Sequence, residues 1–320
     1  SGIRKSGSRI TGILTHSGQE FIGRAYLDCS YEGDLMAQAG VRYSTGRESR
    51  EEFGETLAGV RRYGGTHNFQ YLLKATDAQG TLYPEISLAP LGAAGQGDDL
   101  IQAYNYRICL TRDPANRIPF TPPAQYDPAR YQLLPLWLDL VSQTEQRPAA
   151  LRDFLFLGPL PGGKYDVNNI GPFSTDLLGG SQDYPNGSES TREEIRQAHR
   201  DYLQGLLYFA ATDPSMPPSI RLQMSQLGYA ADEFVETGNW PHQLYVRESR
   251  RMAGIYVMTQ KDLQTEREKE DSVGMGSYTI DSHSVQRYMT LDGYVQNEGE
   301  VQYPVKPYQI PYRALLPKEG

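Results

Sequence analysis

The sequence predicts an α+β fold, an antiparallel sheet with flanking helices, and three observations carry that expectation. Apolar runs of strand length, among them YNYRICLT at 104–111 and the longer VGMGSYTIDSHSVQRY at 273–288, sit between turn residues. Four stretches, 131–146, 190–213, 218–228 and 243–259, repeat their apolar residues at helical spacing. The glycine string GAAGQG at 92–97 does not follow a strand and open a helix, so the spacing gives no dinucleotide loop.

Composition sets the bounds. With 320 residues, 38% of them hydrophobic, the chain can bury a sizeable core. A net charge of −8 argues against non-specific nucleic-acid binding, and no apolar run is long enough to span a membrane. Cys29 and Cys109 lie in apolar settings without a CxxC or a histidine at metal spacing, which reads as two buried thiols. Tyrosine is in excess, 23 against 9 phenylalanines, and its ring with a hydroxyl suits half-wet clefts as well as polar-rimmed cores. The compartment stays open, because the first residues carry no apolar signal core and a chain that begins in mid-fold cannot report its own targeting.

Taken in order, residues 9–29 alternate on either side of His16-Ser17-Gly18-Gln19, a hairpin leading into an apolar strand from Phe21 to Leu27. Glu32, Gly33 and Asp34 follow at the strand end, before a short helical run to Ala39. Polar residues there suit a ligand, and acids at a helix start equally suit its dipole. Residues 43–64 predict an exposed amphipathic helix after the Gly46 turn, and 66–99 predict loop. In the strand 104–111, Asn105 and Arg107 share one face, with Tyr106, Ile108 and Leu110 on the other. After the prolines of 116–128 comes the helix 131–146. Residues 155–180 read as irregular. Their PGGK lacks phosphate-loop spacing, and Asp166, Asn168, Asn169, Ser174 and Asp176 suit turn chemistry more readily than a binding surface.

The helix 190–213 is the clearest, with Ser190 or Thr191 as cap, Glu193 and Glu194 in its first turn, and a stripe through Ile195, Tyr202, Leu206 and Phe209. Pro214, Pro217 and Pro218 end it, and the next helix closes at Gly228. The charge run from Glu266 to Asp271 reads as a solvated turn. On the strand 273–288, Asp281 and His283, two apart, share a face; a metal held by this pair would have only two local ligands. No metal site is expected.

The densest chemistry lies at 238–259, GNWPHQLYVRESRRMAGIYVMT. As a helix from Gln243, it would set Arg247, Arg250 and Arg251 one turn apart, with Glu248 at i,i+3 from Tyr245 and Arg251. Guanidinium forks suit anionic or planar groups, and a helix laced by surface ion pairs is the plainer alternative.

YLDCSYEGDLMAQAGVRYSTGRES, YNYRICLT, DVNN, GNWPHQLYVRESRRMAGIYVMTQKDL, YTIDSHSVQRY, NEG and IPYRALLPK occur in this order over nearly the entire chain. Together they resemble the bacterial FAD-dependent oxidoreductases sometimes labelled xanthan lyases. The resemblance implies a flavoprotein of the glutathione-reductase type, with a substrate domain inserted into a nucleotide-binding domain. Family members open with a strand, GxGxxG and a helix, and close on a glycine-rich return to the flavin. This chain shows neither. The expectation is therefore an internal piece: 1–40 as a remnant of the FAD-binding domain, 41–317 as the substrate domain, and 318–320 as a tail. The parent would carry FAD, this chain would not hold it, and the missing FAD-domain segments would be its partners.

On that reading the parent oxidises a carbohydrate-derived or other small polar molecule by hydride transfer to flavin, and the isolated chain is inactive. His242 and His283 are the candidates for proton transfer, with Tyr245 as a further base. Arg247, Arg250 and Arg251 would clamp a carboxylate or polarise a carbonyl, and Asp281 would orient a neighbouring imidazole or arginine. Asn105 and Arg107 would line the same cleft. Glu32, Gly33 and Asp34 would face the ribityl or pyrophosphate edge of the flavin. A rival class is a non-catalytic carbohydrate-binding or scaffolding module, for which the tyrosines and the Asn/Asp-rich loops would serve.

Overall fold

The structure is a computed structural model that describes residues 2–62, 65–265 and 268–318. Helix Glu189–Thr212 is its longest element. The helix begins where Ser188 Oγ accepts the Thr191 N–H at 3.1 Å, two residues ahead of the expected caps, so Glu189 becomes the first-turn acid. Its buried face carries Tyr202, Leu203, Leu206, Leu207 and Phe209. Gly205 sits on this face for a steric reason: a Cβ there would lie 2.2 Å from the Tyr131 hydroxyl, which itself donates to the Tyr202 carbonyl at 3.0 Å. Helices Leu133–Glu145 and Pro218–Ser225 share the same core through Leu134, Trp137, Ile220 and Met224.

Five antiparallel strands form the central sheet, in the order Arg117–Ile118, Gly228–Ala230, Cys109–Thr111, Lys164–Asn169 and Leu155–Leu160. The last two correct the irregular reading of 155–180. They are a hairpin whose turn is the PGGK string, with Gly162 and Gly163 at φ 75° and 71°, a region that glycine enters without strain. The strand expected over 104–111 shortens to Cys109–Thr111. Upstream of it the ladder gives way to other partners, with the Tyr104 N–H on Ser181 Oγ and Asn105 in an isolated bridge with Tyr245.

The strand expected over 273–288 is three, Ser272–Gly276, Ile280–Ser282 and Gln286–Met289. They pair with Tyr308–Pro311, Val301–Tyr303 and Val295–Glu298 in separate two-stranded ribbons, outside the central sheet. Each finds its partner in the chain that follows, so none needs the sheet. The Tyr303–Pro317 tail accordingly holds a strand and a 3-10 turn, Tyr312–Leu315. At the other end, Gly2–Ser6, Arg9–Leu14 and Glu20–Phe21 make a small antiparallel sheet. The turn at 16–19 is where the sequence put it, but with no partner beyond Phe21 the strand stops there, leaving Ile22 and Leu27 exposed.

Three helical expectations fail for local reasons. Of residues 43–64, Tyr63 and Gly64 lie outside the described residues, and the described ones keep only the helical turn Arg50–Phe53, stopped by Gly54 in the left-handed region. Helix Pro218–Ser225 ends early because Gly228 already belongs to the sheet. The arginine-rich stretch 243–259 forms no helix; apart from the strand Arg251–Met252, paired with Tyr43–Ser44, it is irregular. Its cations reach different carboxylates: Arg247 lies 3.5 Å from Asp176, Arg250 2.5 Å from Asp34, and Arg251 2.8 Å from Glu48. An extended chain lets them diverge, where a helix would crowd three like charges on one side. Cys109 is buried as expected, but Cys29 is exposed. Of the charge run, Glu266 and Arg267 lie outside the described residues, as do Glu319 and Gly320 of the tail, while Lys269 is buried against Asp262 at 2.8 Å rather than solvated. The fold is α+β, and every strand pair among the described residues is antiparallel. No helix among them is long and apolar enough to cross a membrane.

Candidate functional site

Where the hairpin strand Lys164–Asn169 meets the ribbon Ile280–Ser282, a cleft of about 270 Å³ opens, lined by Tyr31, Gln102, Arg107, Asn168, Tyr245, Val246, Arg247, Tyr278, Asp281 and His283. Strand alternation puts Asp166 and Asn168 on one face. Asp166 accepts from both Arg107 Nε, at 3.1 Å, and Arg107 Nη2, while Asn168 Oδ1 lies 3.2 Å from the Asn105 amide nitrogen. The Tyr245 N–H donates to the Asn105 carbonyl, which presents the tyrosine ring between two guanidinium groups, Arg107 at 5.6 Å and Arg247 at 4.9 Å from its centroid. Arg247 donates to Asn105 Oδ1 at 3.2 Å, yet its Nε is buried with no hydrogen-bond acceptor among the described residues.

Behind the cleft, the His283 Nδ1–H donates to Asp176 Oδ2 at 2.6 Å. Burial pushes the Asp176 carboxyl up, but the charges of His283 and Arg247 outweigh it and hold the group below the usual carboxylate range. An ionised Asp176 on Nδ1 leaves the neutral imidazole with Nε2 as its acceptor, and His283 lines the cleft. A second histidine stands against the first: the ring of His67 stacks on His283 at 5.5 Å and 21°, with its Nδ1 3.0 Å from Glu300. Glu300 is fixed in turn by the Thr66 and His67 N–H groups, at 3.0 and 2.8 Å. Burial alone would push His67 down; Glu300, with Asp176 and Asp281, raises it above the ordinary histidine value.

Of the residues singled out from sequence, Arg107, Tyr245, Arg247, Asp281 and His283 meet in this cleft, with Asn105 buried beneath it. Asp281 does not orient the imidazole; Asp176 does, while Asp281 Oδ2 accepts the Tyr278 hydroxyl at 2.9 Å. His242 is exposed and outside the lining. Arg250 donates to Asp34 and to the Glu32 carbonyl, and Arg251 to Glu48 and the Gly46 carbonyl, so both tie the chain together away from the cleft. Asp34 also takes two bonds from Arg192, and Glu32 accepts the Tyr184 hydroxyl at 3.1 Å. Gly33, at φ 67°, precedes a helix of five residues. Asp34 thus centres an ion-paired junction with Arg192 and Arg250, to which Glu32 adds hydrogen bonds. Sequence reading passed over His67, Tyr31 and Tyr278, and weighed Asn168 and Asp176 as turn residues ahead of a binding surface. The usable signal was the period-two placing of Asp166 and Asn168, a strand pattern inside a stretch taken for turns.

Among the described residues, no three His, Cys, Asp or Glu side chains gather as metal ligands. Over residues 1–320 the chain matches the model of the FAD dependent oxidoreductase family, and it belongs to that family. No curated protein and no solved structure matches it. A flavin dinucleotide asks for a glycine-rich turn that opens a helix onto its pyrophosphate. The described residues do not fit that demand. The 92–97 glycine run leads into no helix, and its backbone is pressed against its neighbours, the Gly95 carbonyl lying 2.5 Å from where a Gly59 Cβ would stand.

Proposed function

We propose that this chain carries the substrate face of a family flavin oxidoreductase, and that the substrate is a small polar molecule bearing an oxidisable hydroxyl beside an anionic group, such as a hydroxy acid or sugar acid. The observation that carries the reading is His283, its Nδ1–H held at 2.6 Å by the buried carboxylate of Asp176 and its ring lining a cleft that also presents Arg247. Arg247, with an Nε that has no acceptor among the described residues, and Arg107 above Tyr245 bind the anion. Tyr278 and Asn168 offer hydrogen bonds to further hydroxyls. His283 Nε2 takes the hydroxyl proton, and Asp176 stabilises the imidazolium that results. In the family the flavin is the oxidant. Because the 92–97 glycine run opens no helix onto a pyrophosphate, the work assigned to this chain is binding, orientation and proton removal.

The domain division at residues 40 and 41, and the inactivity of the chain alone, belong to the same proposal, which expects the purified protein to lack stoichiometric flavin; a yellow preparation with one FAD per chain overturns that part. Calorimetric titration tests the substrate class. A sugar acid should bind and its neutral parent sugar should not, and Arg247→Gln should weaken the acid at least tenfold, about 1.4 kcal/mol. Equal binding of neutral and acidic sugars, indifferent to Arg247→Gln, would instead favour a carbohydrate-binding module.

A further inference from the structure

Directly behind His283 the packing leaves a void of about 10 Å³, bordered by His67, Asn169, Ser174, Asp176, Ser284 and Asn297. That is room for a single water. Four atoms of its lining residues are buried without a hydrogen bond among the described residues: His67 Nδ1, which has the Glu300 carboxylate at 3.0 Å as an ion pair, and Asp176 Oδ1, Asn169 Oδ1 and Ser284 Oγ. Asp176 Oδ1 has only the Arg247 guanidinium at 3.5 Å, beyond good hydrogen-bond geometry. Two acceptors and one hydroxyl are what one water satisfies, by donating to Asp176 and Asn169 and accepting from Ser284. Native proteins rarely leave three such atoms unpaired around one space.

We infer that the void holds one fixed water that steadies Asp176 behind His283, and that His67 is a positioning residue for His283, tied to it by the ring stack. The inference rests on the reading of His283 as the proton acceptor, but its test does not depend on turnover. Around His283 stand Asp176 on its Nδ1 at 2.6 Å, Arg247 beside Asp176, and Asp281 in the same cleft lining. On His67 the anions Glu300, Asp176 and Asp281 act together, and Glu300 lies nearest. A charged His67 ring face-on to His283 opposes a second positive charge there.

The experiment follows the His283 ring resonances by NMR across pH 5–9 in the full chain. His67→Phe keeps a flat ring in the stack without the charge, and Glu300→Gln keeps one of the two oxygens that accept the Thr66 and His67 N–H groups while releasing His67 from its anion. Each should raise the His283 midpoint by about one pH unit. A midpoint unmoved in whichever of the two folds overturns the coupling; should neither fold, wild type at pH 5–9 must still show two separated imidazole transitions, and a single shared one overturns it. For the water, a high-resolution crystal structure should show a peak with three partners at hydrogen-bond distance, lost or displaced in Ser284→Ala. An empty void, or a peak with short metal–oxygen contacts, overturns that half. Loss of the substrate reading through the sugar-acid titration would leave both results standing.

Discussion

Around helix Glu189–Thr212 the chain is held by apolar contact: Leu203, Leu206, Leu207 and Phe209 are inaccessible and pack with Leu138, Phe154 and Val167 in one cluster. In the ribbons on either side of that block, at 2–53 and 251–318, strands run two to six residues, and Phe21, Ile22, Leu27, Val273 and Met275 face solvent. There the ties are ionic, Arg251 to Glu48, Lys269 to Asp262 and Arg313 to Asp271. The comparison teaches where the site must sit. The cleft lies on the seam, taking Asn168 and Arg107 from the packed block and Asp281 and His283 from a ribbon. Rigid packing on one side and polar ties on the other let a buried carboxylate and a buried imidazole at the cleft wall face each other. An all-apolar seam could not hold Asp176 ionised.

The sharpest way to break the comparison is to remove bulk from each side. Phe154→Ala, at a fully buried position, should destabilise by about 3–5 kcal/mol, because the transfer of the ring is lost and a cavity is left. Val273→Ala, at 58% exposure on a ribbon, should stay within about 0.5 kcal/mol. Urea midpoints read both, and comparable losses would mean that the ribbons are as tightly packed as the block.

Acid should act next, through a single group of the packed block. Burial pushes His199 down to about 4, with its Nδ1–H donating to the Ile195 carbonyl at 2.8 Å and Nε2 beside Ser181 Oγ at 3.3 Å. The folded value is lower than the unfolded one, near 6.5, so the neutral form is favoured by folding. Its stability is fully present above about pH 6.5 and is lost as pH falls toward 4, amounting there to about 3 kcal/mol. His67 runs the other way. Its folded value is raised, so it contributes fully below its unfolded value and loses that contribution as pH rises through the folded one. Comparing wild type with His199→Leu between pH 7.5 and 4.5 isolates the first effect, and a wild-type slope as shallow as the variant's would refute it.

The same contrast decides what could be read from sequence. Helix Glu189–Thr212 was legible to within a residue or two because a cap, acids and a 3.6-residue stripe all agree. The α+β class followed from such elements. The stretch 243–259 was illegible because helical spacing of arginines is a local pattern, while their partners Asp176, Asp34 and Glu48 lie 71 to 216 residues away along the chain, distances that no local window contains. Likewise His283 could be chosen by residue type, but Asp176 could not be assigned to it, since the hairpin that carries the chain toward Asp176 was taken for irregular loop. Periodicity reports what a residue's neighbours do, and an ion pair across the fold reports nothing to them.

The smallest effect tests whether the ribbons depend on their ionic ties. Lys269 has a side chain 4% exposed, Nζ 2.8 Å from Asp262 Oδ1, and it sits above the Tyr256 ring at 5.4 Å. Burial pushes the Asp262 carboxyl up, while Lys269 and the Tyr256 hydroxyl hold it below its usual value. Lys269→Met keeps the aliphatic stem and removes only the ammonium. Asp262 retains the Tyr256 hydroxyl at 2.5 Å and the Thr259 N–H at 2.9 Å, so the anion is not stranded, and the loss should be about 1–3 kcal/mol rather than that of an isolated buried charge. The sign of the pH dependence follows from the depressed folded value. Stability from this carboxylate is present above about pH 4 and is lost as pH falls below it, and the variant should lose less over that range. If Lys269→Met is instead neutral or stabilising in urea titrations at pH 7, the ammonium adds nothing beyond its stem, and the ribbons are held by their short ladders.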